Sequence, residues 1–380
     1  MSAPLGELSP GQFLEEYWQK KPCLIRQAFP GFEPQLDVND LAGLACEEMA
    51  ESRLVSGTYD AADWSVSHGP FKEQDFTALP EQNWTLLVQD VEKHYAPLQK
   101  LMQQFSFIPG WRLDDLMISY AAAGGSVGPH IDQYDVFLLQ AEGKRRWQIA
   151  HDYDPELLPD CQLNVLRSFT AEREWVLEAG DMLYLPPGVA HHGVALEPGM
   201  SWSIGARAPS SADLLQGFGE WLAYTTDEGG RYTDPGLQPT SRAGEINAGA
   251  LLGLRELMAS KLEDNEILHP YLAAFISRFR LAHEPAPPPE EMHVEEVLAA
   301  LQQGATLMRN PWTRLAWIET ATGARLYAAG QSYDCSVSLA EALCQSTTPP
   351  VDANKLEPAA LETLTRLINA GHFSLESNFT

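Results

Sequence analysis

The stretch GPHIDQYDVFLLQ, residues 128–140, is a Gly-Pro turn that leads through polar residues into an apolar run typical of a β-strand. It belongs to a series of short β-rich runs between residues 116 and 208 that are separated by glycine or proline turns. Because no helical pattern lies between these runs, we expect antiparallel strands in a sandwich or barrel of the jelly-roll type. The predicted strands are residues 116–120, 135–140, 145–150, 175–177, 182–185 and 201–206.

Helical patterns precede this β-rich region. Apolar residues recur at helical spacing in residues 10–20, 39–51 and 84–102, which predicts three helices. Asp37 or Asn39 is the expected N-cap of the second helix. The N-terminal part of the chain is therefore predicted to be mostly helical, with short strands between the helices.

Helical spacing returns after the β-rich region, where a stripe of apolar residues comprises Leu214, Leu215, Phe218 and Leu222. A proline-rich run at 285–289 predicts a stiff linker, and a small α+β unit is expected beyond it. The predicted divisions are a β-rich domain at 1–209, a helical region at 210–283, and the linker with the terminal unit at 284–380.

The composition excludes several classes of protein. The chain has 380 residues, with 25 Lys and Arg against 52 Asp and Glu and a formal net charge of −27, so nucleic-acid binding is not expected. An acidic surface suits a basic partner or serves solubility. The sequence has neither a signal-peptide pattern nor a membrane-spanning apolar run, so we expect a cytoplasmic protein. Its five cysteines form no CxxC pair, which fits reduced thiols and argues against a thiolate zinc site.

Several side chains of the β-rich region are of the types that bind metal ions. His130 and Asp132 are two residues apart, so on an extended chain they project from the same face. A second stretch, GDMLYLPPGVAH at residues 180–191, ends in His191 and is followed by His192. Adjacent strand residues face opposite ways, so only one of these histidines can join the first pair, and the spacing leaves that choice open. Two imidazoles and one carboxylate form the facial triad of non-haem Fe(II) oxygenases, with a zinc or manganese cupin as the alternative.

An Fe(II) oxygenase that uses 2-oxoglutarate also needs a cation for the distal carboxylate of that cosubstrate. Arg145 begins the strand after the 141–143 turn and is placed to return beside the metal-binding stretch. Its planar guanidinium can bind a carboxylate through two hydrogen bonds. Alternation places Arg145 and Trp147 on one face of the strand and Lys144 and Arg146 on the other.

Together these residues resemble the JmjC-type ribosomal oxygenases, in particular the bacterial arginine hydroxylases that act on a large-subunit ribosomal protein. The resemblance is carried by DDLMIS at 114–119, by GPHIDQYDVF at 128–137 and by the Pro-Pro-Gly turn before His191. Shorter matches, such as YWQKKP at 17–22 and VSHGPF at 66–71, extend it along nearly the whole chain.

The resemblance implies a double-stranded β-helix of the JmjC (cupin) type that uses Fe(II), 2-oxoglutarate and O₂. By this resemblance the iron ligands are His130, Asp132 and His191, the 2-oxoglutarate anchor is Arg145, and Ser119 lies beside the cosubstrate. It also implies that the helical region mediates homodimerisation and that the chain ends in a winged-helix-like unit.

The substrate assignment adds one residue to the site. Asp135, three residues beyond Asp132, is the candidate that holds the substrate guanidinium, because a charge-assisted pair would fix that side chain. An ordinary strand-start aspartate that bonds to backbone is the alternative. The net charge of −27 suits a basic ribosomal protein as substrate. A histidine hydroxylase, a lysine demethylase and a non-catalytic cupin are alternative functions; the complete triad with Arg145 disfavours the last.

Overall fold

The computed structural model describes residues 3–225 and 230–376, and the chain divides into two compact units, Met1–Ala208 and Pro209–Thr380. The described part of the first unit has twelve strands: β1 (Cys23–Ile25), β2 (Ser52–Ser56), β3 (Ser65–His68), β4 (Trp84–Val88), β5 (Leu113–Ala121), β6 (His130–Ile131), β7 (Asp135–Gln140), β8 (Arg145–Ala150), β9 (Arg173–Leu177), β10 (Met182–Leu185), β11 (Ala190–Ala195) and β12 (Gly199–Ala206). Its α-helices are α1 (Pro10–Glu16), α2 (Val38–Leu44), α3 (Glu73–Thr77), α4 (Val91–His94) and α5 (Gln99–Met102). All six strands predicted from the sequence are present.

The strands form two antiparallel sheets, as the jelly-roll prediction requires. The larger sheet has the order β1-β10-β7-β12-β5-β4-β2-β3, and the smaller has the order β6-β11-β8-β9. Apolar side chains from both sheets, among them Leu138, Leu183 and Trp147, form one buried cluster between them. The sheets therefore pack face to face and define an interior in which ligand-binding residues can converge.

The other face of the larger sheet is covered by the N-terminal segments. Helix α1 begins at a Ser9 capping box, which satisfies two backbone donors that the helix itself cannot pair. It buries Phe13 against Tyr184 of β10 and Phe137 of β7, with ring centroids 5.0 and 5.6 Å apart. Strands such as β7 are consequently buried on both faces, and their sequences are largely continuous apolar runs.

The prediction of one helix over residues 84–102 is wrong. The segment begins as strand β4, which pairs with β2 and β5, and the short helices α4 and α5 follow it. A short apolar run fits a buried strand as well as a helix, and here partners distant in sequence decide between them. The second predicted helix is shorter than expected, and Asp37 is its N-cap.

The second unit contains three longer helices followed by a small α+β unit. The helices are α6 (Ser211–Thr225), α7 (Ala248–Leu262), α8 (Asn265–Arg278), α9 (Val294–Gln302), α10 (Val337–Gln345) and α11 (Pro358–Asn369), and the strands are β13 (Thr306–Arg309), β14 (Leu315–Thr320), β15 (Gly323–Ala328), β16 (Gln331–Cys335) and β17 (Phe373–Glu376). The terminal elements share one core, centred on buried side chains such as Leu326, Leu343 and Leu364. Among the described residues, no helix has the length and apolarity needed to cross a membrane.

The apolar stripe predicted on α6 is not a single exposed surface. Phe218 is buried and packs against Tyr271 of α8, with ring centroids 5.0 Å apart. Leu215, by contrast, is 56% exposed. Part of the stripe is therefore buried within the unit, because α8 covers the side of α6 that carries Phe218.

Candidate active site

Strands β6 and β11 bring three side chains of metal-binding type together. These strands pair directly, with His130 opposite His191, and the two ring centroids lie 4.2 Å apart. The Oδ2 atom of Asp132 lies 3.9 Å from His130 Nε2 and 3.7 Å from His191 Nε2. One donor atom from each of the three residues falls within 4.8 Å of the others. The spacing is close enough for all three to bind a single ion.

Backbone carbonyls orient both imidazoles. His130 Nδ1 lies 2.9 Å from the Gly128 carbonyl oxygen, and His191 Nδ1 lies 3.0 Å from that of Val189. A carbonyl only accepts hydrogen bonds, so each Nδ1 carries the proton and each Nε2 keeps a lone pair that can bind a metal ion. Burial, together with the neighbouring His130, lowers the pKa of His191 to about 4, so this imidazole is neutral near pH 7. Two imidazoles and a carboxylate suit Fe(II).

His192 lies on the other side of β11. Its ring packs edge-on against Tyr59 and Phe169, with centroids 5.7 and 6.0 Å apart. The structure therefore joins His191, and not His192, to the other two residues. Strand alternation alone predicts that these neighbours separate, but only the pairing with β6 determines which one faces inwards.

A cavity of about 250 Å³ opens beside the three residues, and Arg145 lines it. The guanidinium is buried and donates a hydrogen bond to the Gly193 carbonyl at 3.2 Å. Its Nε has no hydrogen-bond partner, and no ion pair among the described residues includes it. Burial lowers the pKa of Arg145 to about 10, which still leaves it charged near pH 7. A buried cation without a counter-charge is costly, so this site fits an anionic ligand such as the distal carboxylate of 2-oxoglutarate.

Other polar groups that line this cavity also lack partners within the described part of the chain. They are Nε of Arg53, the Thr85 hydroxyl and the Trp147 indole N–H. Ser119 lines the same cavity and donates to the Ser201 carbonyl at 3.3 Å. The cavity wall thus offers several hydrogen-bonding groups in addition to the guanidinium of Arg145, which suits a polar ligand.

The neighbours of Arg145 behave as strand alternation predicts. Lys144 pairs with Glu178 at 2.9 Å and Arg146 lies 3.9 Å from Glu174, in all cases with partly exposed side chains. Of these three consecutive cations, only Arg145 lines the cavity.

The structure does not support the predicted role of Asp135. This residue is fully buried, and the cavity-lining residues do not include it. Its carboxylate accepts hydrogen bonds from the Tyr184 hydroxyl at 2.6 Å, from Gln19 Nε2 at 3.0 Å and from an Arg112 guanidinium nitrogen at 3.1 Å. The next residue, Val136, lines the cavity, so alternation turns Asp135 towards the opposite face of the sheet. A substrate guanidinium cannot reach a carboxylate that is occupied in this way.

A different carboxylate, Asp115, lines the cavity and was missed as a site residue. Its side chain takes part in no hydrogen bond or ion pair among the described residues. Burial, and secondarily the charge of Asp114, raises the pKa of Asp115 to about 7. Asp114 itself is paired with Arg207 at 2.7 Å, and the Arg207 guanidinium lies over the Tyr134 ring. The sequence could have indicated Asp115, because alternation places it on the same face of β5 as Ser119, which was already a candidate site residue.

These features define the class as a JmjC-type oxygenase. The JmjC domain family matches residues 100–214, which include the three clustered residues and Arg145, and the ROXA-like winged helix family matches residues 260–374. The chain is 37% identical over 369 residues to the ribosomal protein uL16 3-hydroxylase of Escherichia coli (strain K12), covering 96% of this chain and 97% of that protein. The chain belongs to the JmjC-type ribosomal oxygenase family, which confirms the predicted fold class and enzyme class.

Further comparisons agree with this membership. A probable ribosomal oxygenase of Haemophilus influenzae (strain ATCC 51907 / DSM 11121 / KW20 / Rd) is 33% identical over 347 residues, which cover 86% of this chain and 82% of that protein. The crystal structure of E. coli ycfD superposes with a TM-score of 0.88 and 36% identity, over 99% of this chain and 100% of that one. A structure of the same E. coli ribosomal oxygenase in complex with cobalt and 2-oxoglutarate gives a TM-score of 0.85 over 98% and 99% of the two chains. The likeness therefore spans both units.

Proposed function

We propose that this protein is an Fe(II)- and 2-oxoglutarate-dependent oxygenase that hydroxylates the β-carbon of an arginine in a large-subunit ribosomal protein. The observation that carries the proposal is the convergence of His130, Asp132 and His191 with the unpaired guanidinium of Arg145 in one cavity. The name of the E. coli relative, a uL16 3-hydroxylase, and the cobalt and 2-oxoglutarate complex of the E. coli enzyme support it.

In this proposal the metal ion is held by the two Nε2 atoms and the Asp132 carboxylate. Bound Fe(II), with 2-oxoglutarate and O₂, supplies the oxidising power to insert hydroxyl at an unactivated carbon, while 2-oxoglutarate becomes succinate and CO₂. Arg145 binds the distal carboxylate of 2-oxoglutarate, and Ser119 adds a hydroxyl beside it. The apolar walls formed by Leu138 and Trp147 exclude bulk water, which strengthens these charge interactions.

Asp115 replaces Asp135 as the residue that holds the substrate guanidinium. It is the cavity-lining carboxylate that lacks an internal partner, and a guanidinium can bind it through two hydrogen bonds. Binding an arginine there requires the ionised form of Asp115, so the substrate stabilises a charge that burial otherwise disfavours. This pairing would hold the arginine in the cavity that His130, Asp132 and His191 also line.

The partners follow from charge and exposed apolar surface. A net charge of −27 steers a basic ribosomal protein towards the enzyme and disfavours direct nucleic-acid binding. Apolar side chains on the helical region remain exposed, including Leu215, Leu251 and Met258, and their burial against a second copy would form a homodimer. An enzyme with a ribosomal-protein substrate would act in the cytoplasm.

The test is direct. The purified protein is incubated with Fe(II), 2-oxoglutarate and uL16, and the modified residue is mapped by peptide mass spectrometry. The proposal predicts the addition of one oxygen atom to an arginine, and none with Asp132→Ala. Oxygen on a histidine, or demethylation of a lysine, would identify the alternative substrates, whereas no succinate under any condition would identify a non-catalytic cupin.

A further inference from the structure

Gly193 occupies an unusual place in β11. It lies two residues after His191, is buried, and directly opposes Trp147 of β8. Its backbone is outside the left-handed region, so conformational freedom does not explain a glycine here. A glycine inside a strand costs stability and often marks a point where another group approaches closely.

The neighbouring side chains fill the space that a Cβ would take. A Cβ on Gly193 would lie 2.6 Å from Cζ3 and 2.7 Å from Cη2 of Trp147, and 2.8 Å from Nε of Arg145. Real Cβ atoms do not approach other heavy atoms so closely, so both side chains would have to move. The Gly193 carbonyl also accepts the hydrogen bond from Arg145, and that guanidinium lies 5.1 Å from the centroid of the Trp147 ring.

The register of β11 with β8 places Gly193 one two-residue step from His191, and the Arg145 guanidinium reaches back from its own backbone position to the level of Gly193. His191 pairs with Ile149, Gly193 with Trp147, and Ala195 with Arg145. Each step of two residues spans about 6.6 Å. A dicarboxylate held at one end by the metal and at the other by Arg145 would therefore lie against Trp147 and Arg145, the two cavity-lining side chains that pack on Gly193.

We propose that Gly193 is a positioning residue for the 2-oxoglutarate site: the missing Cβ lets Trp147 and Arg145 pack against β11 and sets the depth at which the distal carboxylate is bound. This inference rests on the proposed function. In this arrangement the Trp147 ring packs beside the Arg145 guanidinium and holds it in position. A pocket of fixed depth then selects a five-carbon 2-oxo diacid over longer ones.

Calorimetric binding of 2-oxoglutarate to the full-length protein loaded with Mn(II) tests this role. We expect Gly193→Ala to weaken 2-oxoglutarate binding by about tenfold to a hundredfold, the range expected for overpacking. Mn(II) affinity should be unchanged, since His191 does not move. Gly43→Ala in α2 is the matched control, because nothing lies within 4 Å of the added Cβ, and it should bind 2-oxoglutarate like wild type.

Rescue distinguishes positioning from general damage. Gly193→Ala combined with Trp147→Phe removes the ring atoms that clash, so part of the lost affinity should return. Trp147→Phe alone adds no atoms and covers the case in which Gly193→Ala does not fold; it should shift the ratio of affinities about tenfold towards the longer 2-oxoadipate. Equal binding by Gly193→Ala and wild type, no rescue, or an unchanged ratio for Trp147→Phe would overturn the inference. Failure of wild type to bind 2-oxoglutarate would instead overturn the proposed function.

Discussion

The larger sheet of the first unit buries a carboxylate on each of its two faces, and the two carboxylates differ in whether they have hydrogen-bond partners. On the outer face, Asp135 accepts hydrogen bonds from Tyr184, Gln19 and Arg112. On the inner face, Asp115 has no such partner among the described residues. A buried carboxylate that the fold satisfies is a structural element, whereas one left unsatisfied beside a cavity is available to a ligand.

The same difference extends beyond the carboxylates. The outer face is packed with aromatic rings, such as those of Phe13, Phe137 and Tyr184. The inner face and the smaller sheet opposite it carry buried polar atoms without partners on Thr85, Arg145 and Trp147, whereas on the outer face the Trp202 indole N–H is such an atom. Substitutions on the outer face should therefore affect stability, and those around the cavity should affect binding and turnover.

The largest expected effect is at the proposed metal ligands. Asp132→Ala removes one of three ligands, so turnover of 2-oxoglutarate to succinate should be abolished. Succinate formation followed by NMR measures this, and an unchanged circular dichroism spectrum shows that the fold is intact. Full activity in this variant would refute the assignment of the metal site.

The next largest effect is expected at Arg145, the proposed cosubstrate anchor. Arg145→Ala removes the partner of a buried carboxylate and should weaken 2-oxoglutarate binding by about 2–5 kcal/mol. Titration of 2-oxoglutarate by calorimetry measures the loss. Arg146→Ala, which alters the outward-facing neighbour, should bind normally, and equal losses in both variants would show that general charge, not the cavity, attracts the cosubstrate.

The two carboxylates should separate stability from substrate binding. Asp135→Ala leaves Arg112 and Tyr184 unsatisfied, so the free energy of unfolding should fall by about 3–5 kcal/mol, while the folded enzyme keeps its affinity for the substrate peptide. Chemical denaturation and peptide titration measure the two quantities.

Asp115→Asn should show the opposite behaviour. It keeps the shape of the side chain but removes its charge, so affinity for an arginine-containing uL16 peptide should fall by about 2 kcal/mol or more, with 2-oxoglutarate binding unchanged. If Asp135→Ala were instead the variant that loses peptide affinity, the distinction between the two faces would be wrong.

The pH dependence of peptide binding should follow Asp115. Its pKa is raised to about 7, mainly by burial, and only the ionised form pairs with a guanidinium. Peptide affinity should therefore rise from pH 6 to pH 8, because at lower pH the carboxyl must first lose its proton. Titrations at several pH values should show this rise in wild type and not in Asp115→Asn, and a rise of equal size in both would assign it to another group.

The smallest effect is expected at His192. Its ring packs between Tyr59 and Phe169 away from the metal ligands, so His192→Ala should keep most of the turnover. His191→Ala should lose it. Succinate assays on the two variants compare adjacent residues of one strand, and the reverse result would show that β11 is placed one residue out of register.

The alternation of side chains along strands explains which features of the site could be predicted from the sequence. Period-two alternation correctly grouped His130 with Asp132 and Arg145 with Trp147, and the turns marked all six predicted strands. These are local properties, and they depend only on the geometry of an extended chain. The motifs also carried enough information to place the chain in its family, together with the metal and the cosubstrate.

Only the tertiary structure decided which face of each strand is the cavity. The larger sheet is covered on both sides, so both of its faces are buried. Alternation therefore shows which residues of a strand share a face, but it does not show that Asp115, and not Asp135, lies on the face with the cavity. The same limit applies to residues 84–102, where pairing with distant strands overrode a helical pattern, and to Phe218, which α8 covers. The sequence by itself determined the chemistry, because ligand types and short spacings are local, whereas the choice of face required contacts between segments far apart in the chain.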